Sequence, residues 1–256
     1  MIVLITPTGA RKDQFELCKI WMRRQTYQGS VLWIIVDDAI PVTTASVTED
    51  FRENWIIKKE YPKPRWTGQN TQGRNIKAGL DSMKTFIDLK IVQGIFIIED
   101  DDYYKPHYLQ RMMEQKQNYW IWGETNTIYY NVHARRYVVN GNRHHASLFQ
   151  TAFTVEALPH FEANLNHKFI DAGFWAHGPN KYLFFENYLA VGIKGMPGRG
   201  GIGAGHKWFS SMHSDLEMKY LTKIIGENDR NQYKGYHGSY GNRSQPQYDI
   251  LTQKRL

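Results

Sequence analysis

The chain contains 256 residues, carries a formal net charge of +7 and has a pI of about 9.3. Its 41% hydrophobic and 22% charged residues are typical of a globular protein, and it has no apolar run long enough to predict a membrane span. The single cysteine, Cys18, excludes an intrachain disulfide. Because the N-terminus lacks the regions of a secretion signal, we expect a cytoplasmic protein. The basic charge favours polyanionic partners such as nucleic acid or nucleoside diphosphates.

Strands and helices alternate along the first 118 residues. Runs of apolar β-forming residues predict strands that are buried on both faces, and apolar positions at helical spacing predict helices between them. Right-handed crossovers between such elements build a mostly parallel sheet covered by helices. The predicted elements are strand 2–6, helix 11–26, strands 31–36 and 55–58, helix 74–90, strand 94–98 and a helix from Pro106 to about residue 117.

The second half of the chain is less regular. Aromatic and polar residues alternate over 119–139, which predicts short antiparallel strands. A strand and the start of a helix are expected at 147–158, and a last helix at 215–225. Between them, the segment 192–205 contains seven glycines and is predicted to be a mobile loop. From residue 226 onward, a polar composition rich in Gly, Tyr, Asn and Gln predicts a flexible tail.

Four consecutive carboxylates, Glu99–Asp102, directly follow the apolar strand at 94–98. Neighbouring carboxylates repel one another, and burying an unpaired carboxylate has a high free-energy cost. A hard divalent cation with oxygen ligands relieves this repulsion well. The strand is therefore predicted to deliver its acidic end to a cation or a polar ligand.

Polar side chains end three of the predicted strands. Thr6–Thr8 ends the first strand, Asp37–Asp38 ends the second and Glu99–Asp102 ends the strand at 94–98. Because ligands bind at the carboxyl ends of strands in open α/β sheets, we expect the three groups to meet at one site. The alternatives are a solvated acidic loop at 99–102 and turn capping by Asp37 and Asp38.

Five short motifs lie within residues 2–106. They are Pro7-Thr8-x-x-Arg11, Gln25-Thr26-Tyr27, Val36-Asp37-Asp38, Gly73-Arg74-Asn75 and the acidic run from Glu99 to Pro106. In this order they resemble the motifs of family 2 glycosyltransferases with the GT-A fold, whose acidic metal motif is also followed by a proline. That motif usually begins with Asp, where this chain has Glu99. Beyond residue 120 the resemblance is limited to scattered residues.

The resemblance implies an α/β fold of the GT-A type. A Rossmann-like, mostly parallel central sheet would be flanked by helices, with a smaller mixed β region on the acceptor side. Residues 1–118 would form the nucleotide-sugar-binding half, and residues 119–225 the acceptor-side half of the same domain. Residues 226–256 would form a basic, flexible C-terminal tail.

The resemblance also implies roles for residues that match the motifs. Thr8 and Asp37 would hold the base or ribose of a nucleotide-sugar, and Asp38 would shape the pocket. Arg74 would approach the nucleotide, and Asp100 would face the ribose or a metal ion. The donor-binding residues are thus predicted to be Pro7, Thr8, Arg11, Asp37, Asp38, Arg74 and Asp100.

A divalent metal ion and a catalytic base complete the expected site. Asp101 would be the main ligand of Mn²⁺ or Mg²⁺, with Glu99 beside it and His206 as a third ligand. Asp171, shortly before a tryptophan at a predicted helix start, is the candidate base, and a helix N-cap is its alternative role. Glu186 is the second candidate base.

The predicted function is a metal-dependent glycosyltransferase that moves a sugar from a nucleoside diphosphate sugar to a hydroxyl acceptor. The acceptor would be a glycan or a hydroxymethylated base in DNA, as for some bacteriophage enzymes. Inversion is the preferred stereochemistry, with retention as the alternative.

Two other functions remain as alternatives. A sugar nucleotidyltransferase would need a Gly-rich loop after the first strand, where this chain has a single glycine, Gly9. A non-catalytic nucleic-acid-binding module would leave the acidic cluster unexplained.

Overall fold

The computed structural model describes residues 1–44, 51–65, 70–199 and 211–237, which form two β-sheets flanked by helices. The strands are β1 (Ile2–Thr8), β2 (Val31–Asp37), β3 (Trp55–Glu60), β4 (Gly94–Ile97), β5 (Tyr103–Tyr104), β6 (Ile121–Glu124), β7 (Thr127–Asn131), β8 (Arg136–Asn140), β9 (Thr151–Phe153), β10 (Lys181–Phe184), β11 (Ala190–Lys194) and β12 (His213–Ser214). The helices are α1 (Lys12–Arg23), α2 (Gln72–Ser82), α3 (Lys84–Asp88), α4 (Tyr108–Gln115), α5 (Leu158–Glu162), α6 (Ile170–His177), α7 (Lys219–Ile225) and α8 (Glu227–Asn231).

The larger sheet has seven strands in the order β10-β6-β9-β4-β1-β2-β3. Strand β1 pairs in parallel with both β2 and β4, and β2 pairs in parallel with β3. Strand β9 runs antiparallel between β4 and β6, while β10 is parallel to β6. The predicted mostly parallel sheet flanked by helices is confirmed.

Every residue of β1 and β2 is buried, because helices cover both faces of the sheet. On one face, Phe15 and Trp21 of α1 pack in a cluster with residues of α4 and the second sheet. On the other face, Ile76 and Leu80 of α2 pack with residues of α5 and α6. This two-sided burial explains why the strands appear in the sequence as continuous apolar runs rather than as alternating patterns.

The second sheet connects the acidic cluster to the other half of the chain. Its strand order is β12-β8-β7-β11-β5, and the short strand β5 pairs antiparallel with β11. Strand β5 begins at Tyr103, directly after the acidic run, and β11 ends at Lys194. Their pairing therefore places Lys194 beside the acidic cluster, although Lys194 lies about 90 residues further along the chain.

Three element predictions need correction. The mobile loop predicted over 192–205 is wrong for residues 192–194, which lie in the buried strand β11, and residues 200–205 lie outside the described part of the chain. The helix predicted over 74–90 is two helices, α2 and α3, which are separated at Met83. The flexible tail predicted from residue 226 is wrong for residues 226–237, since α8 lies there. Its Asp229 accepts two hydrogen bonds from Arg24, at 2.6 and 2.8 Å, and the ring of Tyr233 is buried. Residues 238–256 lie outside the described part of the chain.

Within the described residues, no helix combines the length and apolar character that crossing a bilayer requires.

A close approach at Gly73 positions the start of α2, where Arg74 lies. A Cβ atom on Gly73 would lie 1.9 Å from the carbonyl oxygen of Leu165, so a side chain there must push backbone away. We expect Gly73→Ala to lower the free energy of unfolding by about 1–3 kcal/mol, measured by urea titration. The matched control is Gly235→Ala, since a Cβ at Gly235 meets nothing within 4 Å. Equal stability of the two variants would show that this approach does not constrain α2.

Candidate active site

The carboxyl ends of β1, β2 and β4 lie side by side at one edge of the larger sheet. Thr8 is paired with Asp37 in the β1–β2 register, and the acidic run follows the end of β4. Pro7 is buried within β1 next to Thr8. The parallel arrangement thus brings these strand ends together.

The acidic cluster is held by a hydroxyl and two cations. Asp100 accepts a 2.6 Å hydrogen bond from Thr8 and lies 3.0 Å from the guanidinium of Arg11. Asp101 lies 2.6 Å from Arg11 and 3.2 Å from Nζ of Lys194. Asp102 accepts hydrogen bonds from Lys194 at 2.8 Å and from the backbone N–H of Ile193 at 3.0 Å. Arg11 and Lys194 thus neutralise part of the buried charge.

Burial and neighbouring charges shift the pKa values of these groups. Burial raises the pKa of Asp100 to about 6 against the opposing effect of Arg11, and burial also raises the pKa of Asp102 well above its usual value. For Lys194, burial lowers the pKa, but Asp101 and Asp102 outweigh it and raise the pKa overall. Oδ2 of Asp102 is buried and accepts no hydrogen bond. The described contacts therefore set two cations, Arg11 and Lys194, against a run of four carboxyl groups.

Asp38 is a second centre of the site and is fully buried. Its Oδ2 accepts hydrogen bonds from Arg74 at 3.0 Å, from Asn75 at 2.9 Å and from the hydroxyl of Thr71. Its Oδ1 accepts a 2.7 Å hydrogen bond from Arg199, which also donates to Thr71. These hydrogen bonds lower the pKa of Asp38 despite its burial, so its carboxylate anchors two arginines at the site.

The carboxylate of Asp37 holds the loop that follows β2. It accepts hydrogen bonds from the backbone N–H groups of Ala39 at 3.0 Å, Thr43 at 2.6 Å and Thr44 at 2.9 Å. This is the turn-capping arrangement that was the alternative for Asp37. Its predicted contact with a nucleotide stays a prediction.

The two candidate bases lie in different surroundings. Asp171 is in the first turn of α6, and its carboxylate accepts the N–H of Ala172 at 2.9 Å. Burial raises the pKa of Asp171, and the charge of Asp171 contributes to the raised pKa of Glu99. Glu186 instead accepts a 2.6 Å hydrogen bond from Arg111 of α4, which lowers its pKa. The structure pairs Glu186 with α4, and the role of Asp171 as a base stays a prediction.

Of the predicted metal ligands, Glu99 and Asp101 belong to the described part of the chain and His206 does not. Glu99 is partly buried and accepts a hydrogen bond from the amide of Gln72, and its backbone N–H donates to Tyr104 at 2.8 Å. His206 lies outside the described residues. No three acidic, histidine or cysteine side chains of the described part of the chain converge as a complete metal site.

The donors present fit a divalent cation that is shared with a ligand. Mg²⁺ and Mn²⁺ are commonly held by one or two carboxylates plus phosphate oxygens and water, so a complete protein cage is not required. Asp101 borders a small pocket, and the surrounding acidic run supplies only oxygen donors.

Sequence reasoning missed Lys194 and Arg199 as site residues. Lys194 ends a strand whose other residues are apolar or small, the same signal that identified the acidic run after β4. Arg199 lies in the glycine-rich segment and is placed by a hydrogen bond from Gln14 to the carbonyl of Pro197, at 2.8 Å.

Solved structures share this architecture, although no protein-family model and no curated protein sequence matches the chain. The structure of S. aureus TarS 1-349 in complex with UDP-GlcNAc has a TM-score of 0.58 and 12% sequence identity, covering 94% of this chain and 74% of that one. The chain shares its mixed α/β fold, with a mostly parallel central sheet, with this structure. TarS 1-349 without a named ligand has a TM-score of 0.56 at 11% identity, and its complex with UDP has 0.52 at 10% identity. The chain spans 60% of these two structures and 36% of a longer TarS structure.

Asp37→Asn tests how the loop after β2 is held. The substitution replaces one carboxylate oxygen by an N–H₂ group that faces backbone donors. We expect a loss of about 1–3 kcal/mol in the free energy of unfolding, measured by chemical denaturation. The exposed Asp88→Asn is the control and should change stability by less than about 0.5 kcal/mol. An equal loss in the free energy of unfolding in both variants would mean that Asp37 does not hold the loop.

Proposed function

We propose that this protein is a glycosyltransferase that uses a nucleoside diphosphate sugar, with a uridine diphosphate sugar as the first donor to test. The observation that carries the proposal is the buried acidic run after β4, which Thr8 and Arg11 contact from the end of β1. A fold shared with structures that contain UDP and UDP-GlcNAc supports it. A charge-only nucleic-acid-binding module has no need for such a run.

In the proposed reaction, the bond between the anomeric carbon and the β-phosphate oxygen breaks, and its electron pair leaves with the diphosphate. The acceptor oxygen forms the new bond to the anomeric carbon. Asp171 takes the proton of the acceptor hydroxyl, and its position in the first turn of α6 together with its electrostatic interaction with Glu99 supports this role. Attack from the face opposite the leaving group would invert the configuration.

We propose that Asp101 holds Mn²⁺ or Mg²⁺, with Asp100 and Glu99 beside it. The ion would supply positive charge to the phosphates as the leaving group gains negative charge. Arg11 holds Asp100 and Asp101 in place from the adjoining loop. Arg74 and Arg199, anchored by Asp38, add positive charge near the strand ends.

The acceptor is proposed only as a hydroxyl-bearing molecule. Glycans and DNA with hydroxymethylated bases are the two candidates, and the net charge of +7 is compatible with a polyanionic acceptor. Offering both acceptors with the same radiolabelled donor separates them, because only the true acceptor retains label. The nucleotide product separates this activity from a nucleotidyltransferase, since transfer releases a nucleoside diphosphate rather than pyrophosphate.

Donor binding is tested by thermal shift with UDP-GlcNAc, with and without Mn²⁺. Ligand at about one hundred times its Kd should raise the Tm by roughly 5–10 °C, since it binds only the folded chain. Asp101→Asn should abolish the additional shift caused by Mn²⁺, and Asp88→Asn should retain it. If no UDP-, GDP- or CMP-sugar shifts the wild-type Tm, the proposed function is wrong.

The role of Asp171 is tested by kinetics. Asp171→Asn should lower kcat by about 10²–10⁴-fold with little change in donor KM, because a general base acts on the acceptor proton. In the wild type, burial raises the pKa of Asp171, so the rate should fall as the pH drops through a value above the ordinary 3.9 or so. Glu186→Gln is the control, because the carboxylate of Glu186 is paired with Arg111. A larger loss in the Glu186 variant would reverse the assignment.

A further inference from the structure

A chain of side-chain hydrogen bonds runs from a buried carboxylate to the hydroxyl of Tyr129. The carboxylate belongs to Glu124, which ends β6 and is fully buried. From Glu124 the chain passes through Gln150, Thr127 and Ser147, which are also buried. Tyr129 itself is partly exposed, so the chain leads from the interior of the molecule to its surface.

The donors and acceptors at the buried end follow from the chemistry of the groups. The Glu124 carboxylate accepts hydrogen bonds from the backbone N–H groups of Leu189 at 2.6 Å and Glu186 at 3.2 Å. The amide of Gln150 turns its NH₂ group to Glu124, at 3.2 Å, because a carboxylate accepts and does not donate. The amide oxygen of Gln150 then faces Thr127, which donates its single hydroxyl proton to that oxygen at 2.5 Å.

The same reasoning fixes the two remaining hydroxyl groups. Because the proton of Thr127 is directed to Gln150, Ser147 is the donor in the 2.9 Å hydrogen bond between Ser147 and Thr127. Ser147 then has no proton for Tyr129, so Tyr129 donates to Ser147 at 2.8 Å. The proton of Tyr129 thus points inward, and its oxygen is left with the capacity to accept a hydrogen bond. Hydrogen bonds in such a one-way chain polarise one another, which strengthens the acceptor at its end.

The pairing of the second sheet places Tyr129 close to the candidate active site. In the parallel register of β7 and β11, Tyr129 is opposite Gly192, two residues before Lys194. A Cβ atom on Gly192 would lie 2.5 Å from Cδ1 of Tyr129, so the tyrosine ring lies against bare backbone of β11. Nζ of Lys194 contacts Asp101 and Asp102 of the acidic run. The acceptor end of the chain therefore belongs to the same region of the molecule as the acidic run.

The Tyr129 hydroxyl is neutral at physiological pH. Burial raises the pKa of Tyr129 to about 12, with further effects from the hydrogen bond to Ser147 and from the charges of Lys194, Asp171 and Glu99. Tyr129 therefore presents a neutral oxygen that accepts a hydrogen bond. A sugar hydroxyl can donate to such an oxygen, whereas an ionised phosphate oxygen has no proton to give.

We propose that the hydroxyl oxygen of Tyr129 accepts a hydrogen bond from a hydroxyl group of a sugar substrate, and that the chain from Glu124 holds Tyr129 in this orientation. The inference rests on the proposed function and adds a specificity residue outside the acidic run. Tyr129 contacts the substrate, while Ser147 is a positioning residue that acts through Tyr129. The hydroxyl group belongs either to the sugar of the donor or to the acceptor.

Tyr129→Phe tests the contact, since it removes the oxygen and keeps the ring. If the hydroxyl belongs to the donor sugar, calorimetry should show UDP-GlcNAc binding weakened by about three- to tenfold and UDP binding unchanged. If it belongs to the acceptor, donor binding should be unchanged and the KM for the acceptor that retains label should rise by about three- to tenfold. Tyr119→Phe is the matched control, because Tyr119 is also partly exposed and stacks on Tyr182 before the amino end of β6.

Ser147→Ala tests the orientation, because it leaves Tyr129 in place and removes the group that takes its proton. We expect Ser147→Ala to weaken the interaction with the same substrate as Tyr129→Phe does, and to leave UDP binding unchanged. The double variant should lose no more than Tyr129→Phe alone, since Ser147 acts only through Tyr129. A purely structural role of Ser147 would instead give additive losses and would weaken UDP binding as well.

Folding of each variant is checked by Tm and circular dichroism, and Tyr129→Phe carries the test if Ser147→Ala does not fold. Folded Tyr129→Phe with unchanged UDP-GlcNAc binding and unchanged acceptor KM would overturn the proposal and leave the proposed function intact. Additive losses in the double variant would overturn the role of the chain. Failure of the wild type to bind any nucleotide-sugar would overturn the proposed function itself.

Discussion

Burial of Asp100, Asp101 and Asp102, beside the partly buried Glu99 at the end of β4, is the constraint on which the rest of the site depends. Their mutual repulsion and desolvation are offset by Thr8, Arg11 and Lys194, which come from three different elements. Removing one member of such a buried network typically costs about 3–5 kcal/mol, so the network also ties these elements together. The candidate site therefore also connects the two sheets.

The two sheets have different tasks in this arrangement. The larger sheet presents the strand ends that hold Thr8, Asp38 and the acidic run, and helices on both faces keep its strands buried. The second sheet delivers Lys194 through the pairing of β11 with β5. The residues that contact the acidic run thus come from both halves of the chain.

The sequence predicted the strands and their acidic ends well, because apolar runs and carboxylates are local signals. Contacts set by distant pairing were not predictable in this way. Lys194 meets Asp102 across 92 positions, and Arg199 meets Asp38 across 161. The same limit applies to Glu186, whose pairing with Arg111 depends on how α4 packs. The role of Asp37 was ambiguous because a carboxylate after a strand serves equally as a ligand or as a cap for the next turn.

The central claim is that the acidic run and the neighbouring cations form one site for a nucleoside diphosphate and its metal ion. Anomalous diffraction at the manganese edge, from crystals grown with UDP and Mn²⁺, tests this claim most directly. The account predicts a manganese peak about 2.0–2.3 Å from a carboxylate oxygen of Asp101, with oxygens of the diphosphate among its other ligands. Ordered UDP elsewhere on the molecule, or manganese bound away from the acidic run, would contradict it.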